Sequence, residues 1–216
     1  IHLDQPALLS FDALKSTGIA YYYDAWTSWT LEGSAGVIFS QAMYYGGQDK
    51  VVMLAAGDYL LTINNYNSAN FEFRVRDAAG ANALLPGTAV SGSLTPGNST
   101  QLYRFDAIAG EQYIFKTSQS FSGYWRLIDP QGVEVANHSI YYNQDSVDIQ
   151  SSGTYLLAIS GDNTRVASQN YTFNLVAVVR KPAIPLNSTI SDTITANGIH
   201  RYTLHLDQTT ALAFDN

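Results

Sequence analysis

The chain of 216 residues contains no cysteine. That removes a disulfide framework, a thiolate metal site and a cysteine nucleophile together, while leaving secretion open. Charge is scarce as well. Lys, Arg, Asp and Glu make up 13% of the residues, about half the ~25% of an ordinary soluble domain. The net charge is −7 and no Lys/Arg cluster occurs, so nothing here neutralises a run of phosphates or clings to an anionic bilayer. A nucleic-acid partner is therefore not expected. The longest apolar runs, such as Val51-Val52-Met53-Leu54-Ala55-Ala56, are too short to span a membrane, and no membrane insertion is expected. Apart from an ambiguous stretch at 6–15, no window shows the 3.6-residue apolar stripe of a helix. No signal peptide opens the chain, and Ile1-His2-Leu3-Asp4 reads as the interior of a longer sequence.

The usual catalytic signatures are missing too. There is no Gly-x-Ser-x-Gly elbow, no His-Glu-x-x-His, no phosphate-binding Gly-rich loop with Lys and no EF-hand loop. The four histidines are His2, His138, His200 and His205. His2 and His205 occupy equivalent places in a repeated segment, where a catalytic histidine would not be expected twice. Asp4 and Asp12 recur as Asp207 and Asp215, a pattern that suits turns and strand ends. The expectation is a protein that is not an enzyme.

What the chain does have is aromatic residues, 15 Tyr and 9 Phe, interleaved with polar ones as half-buried strands require. It also repeats itself. Trp29-Thr30-Leu31, followed by Gly36-Val37, lines up with Trp125-Arg126-Leu127, followed by Gly132-Val133. At the same offset Gly57-Asp58-Tyr59-Leu60-Leu61 matches Gly153-Thr154-Tyr155-Leu156-Leu157. Tyr44-Tyr45 matches Tyr141-Tyr142, and Phe71-Glu72-Phe73 matches Tyr171-Thr172-Phe173. A third copy opens near the end, where His205-Leu206-Asp207-Gln208 repeats His2-Leu3-Asp4-Gln5.

Period-two patterns in the middle copy predict strands over 102–106, 112–117, 124–128, 133–136, 146–150, 154–160 and 170–178. Turn signals such as Pro96-Gly97-Asn98 and Asp129-Pro130-Gln131-Gly132 separate them. Strands at this spacing indicate an all-β protein built of tandem jelly-roll-like β-sandwich units of about 100 residues. The predicted division is 1–84 for a first unit lacking its opening strand, 85–180 for a second, complete unit, and 181–216 for the opening strands of a third. Trp29/Trp125, Tyr59/Tyr155 and Phe71/Tyr171 are expected to be buried equivalents.

The string Leu94-Thr95-Pro96-Gly97, continuing through Tyr103-Arg104-Phe105 to Gly110 and Tyr113-Ile114-Phe115, resembles the bacterial pre-peptidase C-terminal domain family. So do Trp125 to Gly132, Gly153 to Ile159 and Tyr171 to Leu175. The resemblance is one of aromatic and glycine positions and carries no catalytic signature. It covers the second unit, most of the first and the start of the third. It implies a jelly-roll-like sandwich, non-catalytic in secreted proteases and tandemly repeated in large surface proteins. It also implies that relatives in collagenases bind collagen through exposed tyrosines and use calcium.

Candidate ligand-binding residues are Tyr44, Tyr45, Tyr141 and Tyr142, because adjacent strand residues face opposite ways and one of each pair must turn outward. Tyr22 and Trp26 belong to the most aromatic segment peculiar to the first unit. No cofactor is expected; calcium is the one candidate, with Asp49, Asp145 and Asp162-Asn163 as possible oxygen donors that spacing alone does not assemble. The expected partners are neighbouring repeat units, with an extracellular matrix protein or polysaccharide as an alternative. The expected setting is secretion or the cell surface, with a role as spacer or adhesive module. The alternative is a collagen- or carbohydrate-binding accessory of a secreted hydrolase. Because residues 188–194 repeat an opening strand that the first unit lacks, a strand-swapped self-association is a further expectation.

Overall fold

In the computed structural model, residues 1–14, 27–43, 49–66, 70–117, 122–140, 146–162, 165–196 and 198–214 are described. Almost all regular structure among them is strand. The first unit contains β1 (His2–Leu3), β2 (Ala7–Leu14), β3 (Ser28–Gly33), β4 (Gly36–Ala42), β5 (Lys50–Leu54), β6 (Gly57–Asp58), β7 (Leu60–Asn64) and β8 (Glu72–Asp77). A 3₁₀ turn at Ala78–Gly80 and β9 (Asn82–Ala83) lead into the second unit. There follow β10 (Val90–Leu94), β11 (Thr100–Ala107), β12 (Gln112–Thr117), β13 (Gly123–Ile128), β14 (Glu134–Ser139), β15 (Val147–Asp148), β16 (Gly153–Gly161) and β17 (Gln169–Arg180), and last β18 (Ile199–Arg201).

The second unit is a closed sandwich. One sheet runs β10-β17-β12-β15 and the other β14-β13-β16-β11-β9. Alternate residues of each strand point between the sheets, so Tyr103, Phe105, Phe115, Trp125, Leu127, Tyr155, Leu157, Tyr171 and Phe173 share one core. Trp125 stacks on Phe115 at 4.8 Å between ring centroids, and Phe115 on Phe173 at 5.3 Å. The first unit repeats the plan with sheets β5-β2-β8 and β4-β3-β7, and β1 pairs with β6. Its core gathers Leu9, Phe11, Trp29, Leu31, Met43 and Leu54. The matched sequence blocks thus fall on matched strands, β3 with β13 and β7 with β16. Even a local bond recurs: the Tyr59 hydroxyl donates to the Ala55 carbonyl at 2.8 Å, and the Tyr155 hydroxyl to the Ser151 carbonyl at 3.0 Å.

Three expectations are corrected. Phe71 is 47% exposed whereas its counterpart Tyr171 is 4% exposed, and Tyr59 is only half-buried where Tyr155 is buried. The cause is coverage. Tyr171 lies beside β10, with Gly92 opposite it in register; a Cβ at Gly92 would meet the Tyr171 hydroxyl at 2.3 Å. No described counterpart of β10 lies beside Phe71, which stacks instead on Phe73 at 6.3 Å. Second, residues 188–194 form no strand and are exposed. Within one chain the tail does not close the first unit; β18 adds in parallel to β17 of the second. Third, Asp12 sits in the middle of β2 at 0% exposure rather than at a strand end.

The two sandwiches are not beads on a string. The outer face of β5-β2-β8 packs against the outer face of β14-β13-β16-β11-β9, giving four sheets in a stack. Ala78, Leu102, Ile128, Leu156 and Ala158 form the buried cluster between them, with Leu8, Val51 and Ala81 at its margin. Gly132 permits the close approach. Its φ is +83°, and a Cβ there would meet Met53 Cβ at 2.8 Å and Leu8 at 3.2 Å.

Candidate functional site

The most unusual chemistry in the molecule lies between the units. Beside the apolar cluster, β2 and β8 of the first unit present Asp12, Arg74 and Arg76, and Asp49 lies immediately before β5. The second unit brings Thr100 on β11, Arg126 on β13 and Ser160 on β16. The strand positions among these alternate with core residues, so the same pleat that buries Phe11 or Trp125 inward aims its neighbour at the other unit.

Asp12 Oδ2 accepts from Arg74 Nε at 2.6 Å and from the Thr100 amide at 3.3 Å, with Arg76 Nη2 at 3.4 Å. Both arginines also reach across to the Thr100 carbonyl, Arg74 at 2.9 Å and Arg76 at 2.7 Å. Asp49, 2% exposed, accepts from the Ala13 amide at 2.9 Å. Its second oxygen meets the Thr100 hydroxyl, and its backbone carbonyl accepts from Arg126 Nη1 at 2.5 Å. Thr100 Oγ1 also bonds Ser160 Oγ at 2.8 Å. The Thr100 and Ser160 hydroxyls each carry one proton, which suffices for both bonds whichever way they point. Burial first, then the Asp12 carboxylate, push the Asp49 carboxyl well above its usual range. Burial and the neighbouring Arg74 lower Arg76.

At the other end of the apolar cluster from this network a cleft of about 570 Å³ opens between the units, with Met53 and Leu156 on its apolar side and His2, Asp4, Asp77 and Arg104 among its polar lining. Clefts of this size between domains are where small ligands commonly lodge. His2 bonds Asp58 Oδ1 at 2.8 Å and Asp4 Oδ1 at 3.2 Å, and those two bonds, Asp58's first, raise its affinity for a proton.

The other histidines are structural in their surroundings. His205 meets Asp207 at 3.2 Å, as His2 meets Asp4. His138 packs on Trp125 at 5.1 Å. His200, Lys181 and the Tyr202 hydroxyl all converge on Asp192 Oδ2, at 2.8, 2.8 and 2.6 Å. The Lys181 and Tyr202 bonds hold the Asp192 carboxyl well below its usual range. Trp29 and Trp125 are fully buried core residues. The candidate ligand-binding residues Tyr22, Trp26, Tyr44, Tyr45, Tyr141 and Tyr142 lie outside the described residues, as do Asp145 and Asn163. Among the described residues, no group of three or more His, Asp or Glu side chains is placed to hold a metal ion. Asp49 is engaged by Thr100 and Ala13.

The sequence reading missed the junction, although a signal was present. Tyr155-Leu156-Leu157-Ala158-Ile159 and Ala7-Leu8-Leu9 are unbroken apolar runs, which a strand shows when both its faces are covered.

No family model matches the chain, and no curated protein matches it in sequence. Solved structures do match. The periplasmic inhibitor of g-type lysozyme, PliG, from Aeromonas hydrophila is 17% identical with a TM-score of 0.40, covering 45% of this chain and 95% of that one. The pre-peptidase C-terminal domain of a collagenase from Bacillus anthracis is 22% identical with a TM-score of 0.33, covering 45% of this chain and 93% of that one. The CUB1-EGF-CUB2 domains of human MASP-1/3 are 10% identical with a TM-score of 0.25, covering 81% and 91%.

Proposed function

We propose that this chain is a non-catalytic, rigid segment of a larger secreted or cell-surface bacterial protein, working as a spacer or adhesive module. The observation that carries the reading is the junction. Strands β2 and β16 are buried on both faces, and a buried ionic network ties Asp12 and Asp49 to Thr100 and Arg126. A hydrogen-bonded set of charges fixes register more sharply than apolar contact alone, and stacked units need only nearest-neighbour contacts to make a stiff rod. Support for the setting comes from the resemblance in the second unit. The test is small-angle scattering of the chain and of an Asp12→Ala, Arg126→Ala double variant. One narrow arrangement of the two units within the chain, broadened in the variant, supports the reading. A broad ensemble for the parent chain would sink it. Casein, collagen and glycan hydrolysis assays should be blank with or without added calcium.

The inter-unit cleft favours a second reading, a binding accessory for a matrix protein or polysaccharide. Co-sedimentation with insoluble collagen, cellulose and chitin, repeated with Arg104→Ala, checks it: binding lost in the variant would place the ligand in the cleft.

A further inference from the structure

The junction between the two units has a counterpart at the other end of the second unit. The strand partners make the correspondence explicit. Asp12 pairs with Arg74 and Ser10 with Arg76 on β8, while Lys116 pairs with Asn174 and Ile114 with Val176 on β17. Leu8 of β2 therefore corresponds to Gln112 of β12. His2 faces Asp58, and Asp106 faces Thr154, so the repeated His205 corresponds to Asp106 and Arg201 to Leu102.

In these terms the tail sits on the second unit as the second unit sits on the first. The segment entering the second unit runs parallel to β11, pairing Asn82 with Tyr103, and the Leu84 amide donates to the Arg104 carbonyl at 2.8 Å. The segment leaving it runs parallel to β18, pairing Val178 with Ile199, and the Ile184 amide donates to the Thr203 carbonyl at 2.8 Å. Thr203 is the counterpart of Arg104. Leu102 shares the first junction's apolar cluster with Leu8; its counterpart Arg201 donates to Gln112, the counterpart of Leu8, at 2.5 Å. Meanwhile the outer face of β17-β12 is covered over β17, where Asn174 and Val176 are buried, and less so over β12. Ile114 and Lys116 are half-buried where Ser10 and Asp12 are 0% exposed under the second unit, and Asn174 Oδ1 is buried without a partner.

We propose that the outer face of β17-β12, centred on Ile114, Lys116, Asn174 and Val176, is the docking surface for a third sandwich of the same kind, seated in the register already begun by residues 181–203. The face continues an interface that the molecule already has. Its chemistry is changed: Ile, Lys, Asn and Val stand where the first unit has Ser, Asp, Arg and Arg. The occupant must therefore offer an apolar patch to Ile114 with a donor for Asn174 Oδ1, not a copy of the Thr100–Arg126 face. Successive junctions are in this way distinguishable, which keeps units from stacking out of order.

The experiment has two arms. In the chain as it stands, hydrogen exchange at the Lys181 and Ile184 amides, whose acceptors are the Arg201 and Thr203 carbonyls, is slowed at least tenfold. It returns to the free rate when the chain is cut after residue 196. Free exchange in the parent chain overturns the proposal. In the second arm, residues 108–180 are appended after Leu206 to complete a third sandwich. A single cysteine, Ile114→Cys, is labelled with a maleimide in this otherwise cysteine-free background. Labelling at least tenfold slower than in the unextended Ile114→Cys chain is expected; equal labelling with the added sandwich folded overturns the docking. If the added sandwich does not fold, the exchange arm decides. A concentration-dependent doubling of mass in the unextended chain, with Ile114→Cys protected, would assign the face to a second copy instead. Loss of rigidity at the first junction is read separately by scattering, so the two ideas fail independently.

Discussion

The two sandwiches share a blueprint and differ in closure, and the difference separates what a residue dictates from what its neighbours dictate. Trp29 and Trp125 are equally buried, at 0% and 1% exposure, because the strands on both sides of each come from within its own unit. Phe71 and Tyr171 occupy the same slot with opposite outcomes, 47% and 4% exposed. Their own strands are alike. What differs is β10, paired alongside Tyr171 and without a described counterpart beside Phe71. Tyr171 gains in addition a hydroxyl contact to Tyr103 at 2.5 Å, a bond a phenylalanine cannot make. An alternating aromatic position is only an offer of burial; a covering strand completes it.

The largest effect should come from the shared part of the blueprint. Trp125→Ala removes a ring stacked on Phe115 in the closed core and should cost about 3–5 kcal/mol in a denaturant titration. A change near zero would break the equivalence of the two tryptophans as core residues. The sharper test is the unequal pair. Tyr171→Ala should cost about 3 kcal/mol or more, whereas Phe71→Ala should stay within about 0.5 kcal/mol, as for an exposed site. Equal costs would mean that the first unit is closed in solution by a strand the structure does not place there.

Next in size is the junction. Asp12 is fully buried, but Arg74 and Arg76 keep 32% and 26% of their side chains exposed. Asp12→Ala should therefore cost about 2 kcal/mol, less than the ~3–5 kcal/mol of a fully buried pair, because the freed arginines recover part of their hydration. Calorimetry should show the two units, coupled in the parent chain, melting apart in the variant. A single unshifted transition would mean that the ion pair contributes nothing to holding the units together.

The fold was legible because its evidence is repeated. The Trp-x-Leu and Gly-x-Tyr blocks recur at one offset, and most strands of the second unit lie within a residue or two of where alternation puts them. The strands over 146–150 and 188–194 were less legible. The first shrinks to Val147–Asp148, and the second forms no strand, because pairing depends on partners that a local pattern does not contain. The junction was illegible for the same reason. Asp12 and Asp49 look like surface acids until the second unit covers them, and a lone Arg126 between Trp125 and Leu127 reads as an outward-facing charge. Only the apolar runs in β2 and β16 carried a trace of that second covering.

The smallest expected effect bears on Asp49, where the comparison becomes one of protonation. The junction's charged groups around it are Asp12 from β2, Arg74 and Arg76 from β8, and Arg126 from β13, with Thr100 bonded directly. Burial and Asp12 raise its proton affinity in the folded chain above the ordinary value of 3.8. The folded state therefore binds a proton that the unfolded state has already released in the window above that value. Stability from this group is complete below the ordinary carboxylate range and is lost as pH rises through the raised folded value. Asp49→Asn imitates the neutral acid and keeps an acceptor for the Ala13 amide, so it should remove that loss. The difference in melting temperature between Asp49→Asn and the parent should be smallest near pH 4 and grow in favour of the variant toward neutrality. The same difference at every pH would show Asp49 to be ionised throughout and balanced by Arg126. The junction would then be an ordinary charge pair and not one that loosens as protons leave.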